Sequence, residues 1–365
     1  LQTTGSGPFT VVVDATSGLD DFTTYTGQSG ESETLEASGS GVDLTQESFS
    51  DWDVVTATSA NATLDIDAGV LGNVQDFTAS GGGTETLRGN LGTTADLSGR
   101  DLSGFEVIEN TATGDTTFKL DGSTSFGDVS QFKTGDAAGT DTLETADTAL
   151  DVSGVTLTNV DTLATSNGTG TTFTLDSGQT GLKIDGGGGT DRVTVNGGTP
   201  DATGLALQAI EILDFAHGAT ATVDQALVDS VGDISGGSGT ERLATGANSL
   251  DLSGVGLSNI EEVAGTGGAT TFTVTSGQLG TLTTFSGGAA GSTLKVTGTT
   301  LDASSLTLTN VDSFTTSNTT GTSFTGTGNA DTIIGNSGND TISGGDGEDT
   351  ISGGAGDDIL IGGAG

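Results

Sequence analysis

Residues 326–365 repeat with a period of nine. Nonamers open at Gly335, Gly344 and Gly353, a degenerate copy precedes them from Gly326, and residues 362–365 begin another. In each full copy the sixth residue is an aspartate and the eighth is a large aliphatic residue, namely Asp331, Asp340, Asp349 and Asp358 followed by Ile333, Ile342, Ile351 and Leu360. A flexible glycine linker would not keep an aliphatic residue in register. The period therefore indicates a regular stack of short strands and tight turns.

The residue types of the nonamer suit a hard cation. Glycine adopts the positive φ that tight turns require, and aspartate supplies a carboxylate. The glycine-rich turns leave backbone carbonyl oxygens as further ligands. Calcium accepts roughly six to eight oxygen ligands in a flexible arrangement, whereas magnesium demands a strict octahedron. The segment therefore predicts Ca²⁺ as the cofactor.

The nonamers resemble the RTX repeat of secreted bacterial proteins, whose consensus is G-G-x-G-x-D-x-U-x. In that family two nonamers form one coil, and a cation site is shared by repeats n and n+2. The resemblance implies that Asp331 pairs with Asp349 and that Asp340 pairs with Asp358. It also implies metal-site roles for the glycines that open the later nonamers, namely Gly335, Gly344 and Gly353. Type I secretion and an extracellular location follow from the resemblance alone.

A longer repeat runs through residues 30–325. The phrase LDVSGVTLTNVDTL at 150–163 returns in looser copies roughly every 50 residues. The aspartates that lead these copies are Asp43, Asp96, Asp151, Asp201, Asp251 and Asp302. Self-similarity at a fixed period is typical of solenoids and arrays, in which each repeat packs only on its neighbours.

A glycine-rich phrase recurs with the same period and supplies further candidate ligands. The copy at 186–194, GGGGTDRVT, matches the nonapeptide at every fixed position and places Asp191 sixth. Other copies carry Glu85, Asp141 or Glu241 at that position. The resemblance makes Asp191 a candidate calcium ligand and raises the same hypothesis for the other three acids.

These patterns predict an all-β protein, a parallel β-solenoid of six degenerate repeats at 30–325 that runs into a calcium β-roll at 326–365. Residues 1–29 lack the repeat phrases and are interpreted as a cap or linker strand. Each long repeat would hold either two coils of roughly 25 residues or three of roughly 17, and we expect a whole number. Phe118 and Phe173 occupy equivalent slots and would then stack on one face. A string of small β-sandwiches is the alternative, for which such repeats are short.

Composition excludes some partners. The chain carries 49 acidic and 8 basic residues, a formal charge of −41, so no basic patch meets nucleic acid or an anionic membrane. The longest aliphatic runs, such as 11–13, are about three residues, far short of the roughly 20 that a spanning helix needs. Without cysteine, bound metal would stabilise the fold in place of disulfides. Because the sequence begins at Leu1 and stops within a nonamer, we expect a longer parent protein.

No catalytic constellation is recognisable. A Ser-His-Asp triad could use only His217, and neither a G-x-S-x-G elbow nor an H-E-x-x-H motif is present. The chain has one tyrosine, Tyr25, and one tryptophan, Trp52. We therefore expect no enzymatic activity within this chain.

The sequence thus favours an extracellular, calcium-dependent structural protein that builds a surface layer, filament or matrix by self-association. A cell-surface polysaccharide is a further candidate partner, and neither nucleic-acid binding nor membrane insertion is expected. Two alternatives stay open: the repeat region of a secreted adhesin, or the C-terminal folding module of a hydrolase or toxin. A catalytic motif beyond either end would favour the second alternative, and more of the long repeat would favour the structural role.

Overall fold

The computed structural model describes the chain with short gaps. The described residues are 9–14, 24–26, 33–45, 47–50, 52–122, 126–135, 139–215, 218–288 and 291–365. They form short strands, the helices α1 (Ala68–Asn73) and α2 (Gln225–Val228), and a 3₁₀ turn at Gln278–Gly280. All strand pairs given below are parallel, which confirms the predicted all-β parallel solenoid.

The strands are three to six residues long. The first are β1 (Phe9–Asp14), β2 (Thr24–Thr26), β3 (Glu33–Ser38), β4 (Gly41–Asp43), β5 (Ser48–Ser50), β6 (Trp52–Ala57), β7 (Thr63–Asp67), β8 (Val74–Ala79), β9 (Thr86–Asn90), β10 (Thr94–Asp96), β11 (Val107–Asn110), β12 (Thr117–Leu120), β13 (Gln131–Thr134), β14 (Thr142–Thr145), β15 (Ala149–Asp151), β16 (Thr156–Thr158), β17 (Thr162–Thr165), β18 (Thr172–Asp176) and β19 (Lys183–Asp185). The others are β20 (Arg192–Asn196), β21 (Ala206–Gln208), β22 (Ile212–Phe215), β23 (Thr220–Thr222), β24 (Asp233–Ser235), β25 (Arg242–Thr245), β26 (Ser249–Asp251), β27 (Gly256–Ser258), β28 (Glu262–Gly265), β29 (Thr271–Val274), β30 (Thr284–Ser286), β31 (Ser292–Val296), β32 (Thr300–Asp302), β33 (Thr307–Thr309), β34 (Val311–Thr316), β35 (Ser323–Thr325), β36 (Thr332–Ile334), β37 (Thr341–Asp346), β38 (Thr350–Ser352) and β39 (Ile359–Ala364).

The chain divides into two compact units. The first comprises Leu1–Thr171 and Leu182–Gly189, and the second comprises Thr172–Gly181 and Thr190–Gly365. In the first unit the strands are ordered β1-β3-β6-β8, β4-β7-β9-β11-β13-β16 and β10-β12-β14-β17-β19. In the second they are ordered β18-β20-β22-β24-β27, β23-β25-β28-β30-β33, β26-β29-β31-β34-β36-β38 and β32-β35-β37-β39.

Alternating side chains explain why these segments form strands. In β18, TFTLD, Phe173 and Leu175 are buried while Thr172 and Thr174 lie on the outer face. Threonine suits such an exposed strand face, so a thin inner row of large side chains suffices. Strand register stacks that row into a ladder, which in the second unit runs Phe173, Val193, Leu213, Ile234 and Leu257.

The long repeat does not hold a whole number of coils, so that expectation was wrong. From Leu250 one sheet continues to Phe272 and Leu294, which makes two coils. The next phrase then begins a different sheet at Leu301. The phrase that begins a sheet at Leu301 also ends another, because its Leu308 lies in the last strand of the sheet that contains Phe285. Equivalent phrases likewise start one sheet and end another.

Equivalent phenylalanines consequently lie in different ladders. Phe118 pairs with Ala95 and Leu143, whereas Phe173 pairs with Val193. The expected stacking of Phe118 and Phe173 on one face was therefore wrong. The phenylalanines still form the core, and those whose side chains are fully buried are Phe77, Phe105, Phe118, Phe132, Phe173, Phe272, Phe285, Phe314 and Phe324.

The N-terminal segment contributes at least one strand to the first unit. β1 pairs in parallel with β3, from Phe9 against Glu33 to Asp14 against Ser38. The rest of the interpreted cap, apart from β2, lies outside the described residues, and its role stays a prediction.

Candidate calcium site

Alternate nonamers stack on one another. β36 pairs with β38, placing Ile333 beside Ile351, and β37 pairs with β39, placing Ile342 beside Leu360. The partners are two nonamers apart, in the order n and n+2, as the resemblance implied. Two nonamers therefore make one coil, and each coil turns twice through a glycine-rich loop.

The sixth-position aspartates reach across from one coil to the next. Asp349 Oδ1 accepts the backbone N–H of Asp331 at 3.0 Å, and Asp358 Oδ1 accepts that of Asp340 at 2.9 Å. Asp340 Oδ1 in turn accepts the N–H of Thr322 at 2.6 Å. The structure thus brings together both aspartate pairs that the resemblance implied.

The second oxygen of two of these carboxylates lacks a hydrogen-bond partner. Asp340 is 1% exposed, and its Oδ2 and that of Asp349 are buried without a partner among the described residues. A buried carboxylate oxygen in this state is destabilising unless a proton or a cation satisfies it. The two side chains are therefore candidates for binding a cation.

The glycines that open the nonamers leave room around these oxygens. A methyl carbon placed on Gly335 would overlap Asp340 Oδ2 and lie 2.5 Å from the carbonyl oxygen of Gly353. One placed on Gly344 would overlap Asp349 Oδ2 and lie 2.5 Å from the carbonyl oxygen of Gly362. A carboxylate oxygen and a carbonyl oxygen therefore face the same glycine at two successive turns.

Asp331 differs from the other sixth-position aspartates. Its Oδ2 accepts the N–H of Thr327 at 2.6 Å, and the Thr327 hydroxyl donates to the same carboxylate at 2.9 Å. Thr327 occupies the second position of the degenerate copy, where the two following nonamers have asparagine or glycine. Burial raises the pKa of Asp331, and the nearby Asp349 carboxylate adds to that rise, while the bonds from Thr327 oppose it. Protein groups thus satisfy this carboxylate, which makes it a poorer ligand than Asp340 or Asp349.

The donor set fits calcium. Carboxylate and carbonyl oxygens are the hard ligands that this ion takes, in a site that tolerates irregular geometry. Asp340 and the carbonyl of Gly353 would hold an ion at one turn, and Asp349 and the carbonyl of Gly362 would hold another at the next turn. Each ion would supply the missing counter-charge. Among the described residues, no three or more acid or histidine side chains are placed so that they could hold a metal ion together. The remaining ligands would therefore be backbone carbonyls or water.

We expect Gly335→Ala to weaken calcium binding by at least about tenfold, because the added methyl group displaces Asp340 Oδ2 from the Gly353 carbonyl. Gly328→Ala is the matched control, since a methyl group there meets no atom within 4 Å. Isothermal titration of both variants with Ca²⁺ makes the comparison. Equal affinities in the two variants would contradict the placement of the site at Gly335.

The same arrangement recurs in the long repeats. Asp191 is fully buried, and its N–H donates to Glu211 Oε2 at 2.7 Å. In the first unit Glu85 N–H donates to Glu106 Oε2 at 2.7 Å and Asp141 N–H donates to Asp161 Oδ2 at 2.9 Å. Calcium binding by Asp191 stays a prediction.

Sequence reasoning missed the second acid of each pair. These residues follow the buried acid by about 20 positions and lie in the phrase that reads GFEVI, NVDTL, AIEIL or NIEEV; they are Glu106, Asp161, Glu211 and Glu261. An acid that recurs at one place in a repeated phrase was the available signal. Burial raises the pKa of Glu85, and the side chain of Glu106 adds to this rise.

The residues considered for catalysis add no site. His217 lies outside the described residues, as does the side chain of Tyr25. Trp52 is buried in the core, with its ring edge-on to Phe49 at a centroid distance of 6.4 Å. In the described part of the chain, no helix is long and apolar enough to cross a membrane.

Comparison with known proteins identifies the nonamer segment. Residues 325–360 match the family of RTX calcium-binding nonapeptide repeats, in four copies. This match confirms calcium as the ion of these repeats. Neither a curated protein nor a solved structure matches the chain.

Proposed function

Because this chain is an RTX protein with calcium-binding nonapeptide repeats at 325–360, we propose that it is a secreted structural protein whose folding and assembly require extracellular calcium. The buried, unpartnered oxygens of Asp340 and Asp349 carry the proposal. Where calcium is scarce these carboxylates have no counter-charge, and the formal charge of −41 opposes compaction. Where calcium is millimolar, sites with dissociation constants of about 10⁻⁴ to 10⁻³ M fill and the nonamer coils close.

Strand pairing supports self-association as the structural role. Within the chain each nonamer strand pairs in parallel with a strand of the preceding coil, as β37 does with β35 and β39 does with β37. A strand with unpaired backbone groups at an open end of a solenoid is a template for a strand of another copy. Pairing between copies that does not close on itself would produce filaments or lattices.

Electron microscopy in millimolar calcium and after chelation tests this role. We expect ordered filaments or sheets that dissolve on chelation. The double variant Asp340→Asn, Asp349→Asn is expected to abolish them even in calcium, because its nonamer coils lack the carboxylates proposed to bind the ion. Asp346→Asn removes a charge at an exposed position of the same segment and should leave assembly unchanged.

Isolated particles in calcium, identical for wild type and the double variant, would contradict the assembly role. The chain would then act as a monomeric repeat region of an adhesin or as a folding module of a larger secreted protein. Calcium titration of the same samples reports separately on the nonamer sites. No enzymatic role is proposed for this chain.

A further inference from the structure

Glu241 lies in a long repeat, outside the residues that match the nonapeptide family. The segment GGSGTERLA at 236–244 opens with Gly236 and places Glu241 sixth and Leu243 eighth. Glu241 is 1% exposed and immediately precedes β25, whereas the family match begins only at residue 325. The chain thus buries an acid here that no family assignment explains.

The contacts of Glu241 repeat those of Asp340. Glu241 Oε1 accepts the N–H of Gly218 at 2.7 Å, as Asp340 Oδ1 accepts that of Thr322 at 2.6 Å. The N–H of Glu241 donates to a carboxylate of the next coil, Glu261 Oε2, at 2.9 Å, and the N–H of Asp340 donates to Asp358 Oδ1 at 2.9 Å. The backbone frame around the two acids is therefore similar, and the donor to Glu241 lies one residue earlier in the strand register than the donor to Asp340.

The turn glycine is equivalent as well. A methyl carbon on Gly236 would overlap the carbonyl oxygen of Asn259 and Cγ and Cβ of Glu241, whereas one on Gly335 would overlap Oδ2 of the shorter Asp340 side chain. Asn259 has a φ of 53°, and its side-chain amide donates to the carbonyl of Gly236 at 3.2 Å. The Asn259 carbonyl and the Glu241 side chain therefore meet over Gly236.

One oxygen at this place lacks a partner. Glu241 Oε2 is buried and has no hydrogen bond to any described residue. The neighbouring cation, Arg242, does not supply the charge, since its guanidinium pairs with Glu262 at 3.1 Å. A second carboxylate, that of Glu261, stands next to Glu241 through the bond given above.

We propose that Glu241, Glu261 and the Asn259 carbonyl form a further calcium site, between the coil of 236–244 and the coil of 259–262. The ion would satisfy Glu241 Oε2 with hard oxygen ligands of the kind calcium takes. Calcium would then stabilise the long repeats of the second unit directly, as well as the nonamer coils.

Counting bound ions tests the site. In equilibrium dialysis of the whole chain against Ca²⁺ alone, Glu241→Gln is expected to bind one ion fewer than wild type. Glu241→Asp keeps the carboxylate and provides the side chain that the nonamers use, so it should bind the full number. Glu262→Gln removes the same charge one residue from Glu261, on a side chain that faces Arg242, and should also bind the full number.

Glu261→Gln keeps the proposal testable if Glu241→Gln does not fold. Its amide oxygen can still accept the N–H of Glu241, and the variant should bind the ion at this site at least tenfold more weakly. An unchanged ion count in a folded Glu241→Gln, or unchanged affinities in Glu261→Gln, would overturn the proposal. Neither result would affect the nonamer sites, which chelation and the Gly335 variant test independently.

Discussion

Chelation of calcium is expected to speed amide hydrogen exchange about a hundredfold in the nonamer strands β36 to β39. A ligand present at ten times its dissociation constant stabilises the bound state by about 1.4 kcal/mol, or about tenfold in the opening equilibrium. Ions held at Asp340 and at Asp349 would each contribute this factor. Exchange measured by mass spectrometry, with and without chelator, gives the result strand by strand.

Two controls make this result specific for calcium. Magnesium should not restore protection, because it dehydrates reluctantly and requires near-octahedral geometry. The double variant Asp340→Asn, Asp349→Asn should exchange fast even in calcium, whereas Asp346→Asn, an exposed position in the same segment, should behave as wild type. Equal exchange of β36 to β39 in wild type with calcium, in wild type with chelator or magnesium, and in the double variant would contradict a structural role for the ion.

The pairing of the nonamers was predictable through the resemblance and not from the period alone. Gly335, Asp340 and Ile342 have fixed places in a nine-residue unit, but pairing of successive nonamers would align these residue types equally well. The two-nonamer coil of the RTX family implied the register of n with n+2, which the structure shows. Asp191 and Glu241 were also recognisable as candidate ligands, since each is the sixth residue of a phrase that shares the fixed positions of the nonamer.

The environment of each carboxylate was less predictable. The hydroxyl of Thr327 donates hydrogen bonds to the Asp331 carboxylate. A comparison with the nonapeptide consensus shows only that Thr327 departs from it. The partner of Glu241 lies in another phrase, so a search for nonapeptides alone does not find Glu261.

Coil number could not be read from the period. The 51 residues from Asp251 to Asp302 suggest an integral unit, but the ladder steps are set by strand pairing, which advances about 21 residues at a time. The phrase at 250–263 and its equivalents absorb the mismatch by starting one sheet where another ends. The long sequence period therefore marks where one sheet ends and another begins. The spacing of the buried residues along a ladder gives the length of one coil.

Removal of a core phenylalanine is also expected to have a large effect, and the coil determines how far that effect spreads. Phe272 is fully buried in β29, stacks between Leu250 and Leu294, and lies 5.9 Å from the ring of Phe285. Phe272→Ala is expected to cost about 3 to 5 kcal/mol, since it removes a large apolar side chain and leaves a cavity. Thr271→Ala, on the outer face of the same strand, should cost less than about 1 kcal/mol.

The loss of stability in Phe272→Ala should be confined to the coils next to Phe272. In a solenoid each coil contacts only its neighbours, so stability is close to a sum of coil and interface contributions. Amide exchange in β26, β29 and β31 should therefore rise a hundredfold or more in Phe272→Ala, while β36 to β39 change much less as long as calcium is present. If all strands of the second unit opened together, the unit would instead be one cooperative body. Calcium bound in the nonamers would then also stabilise the ladder of Phe272, and the chelation experiment would detect the same coupling from the other end.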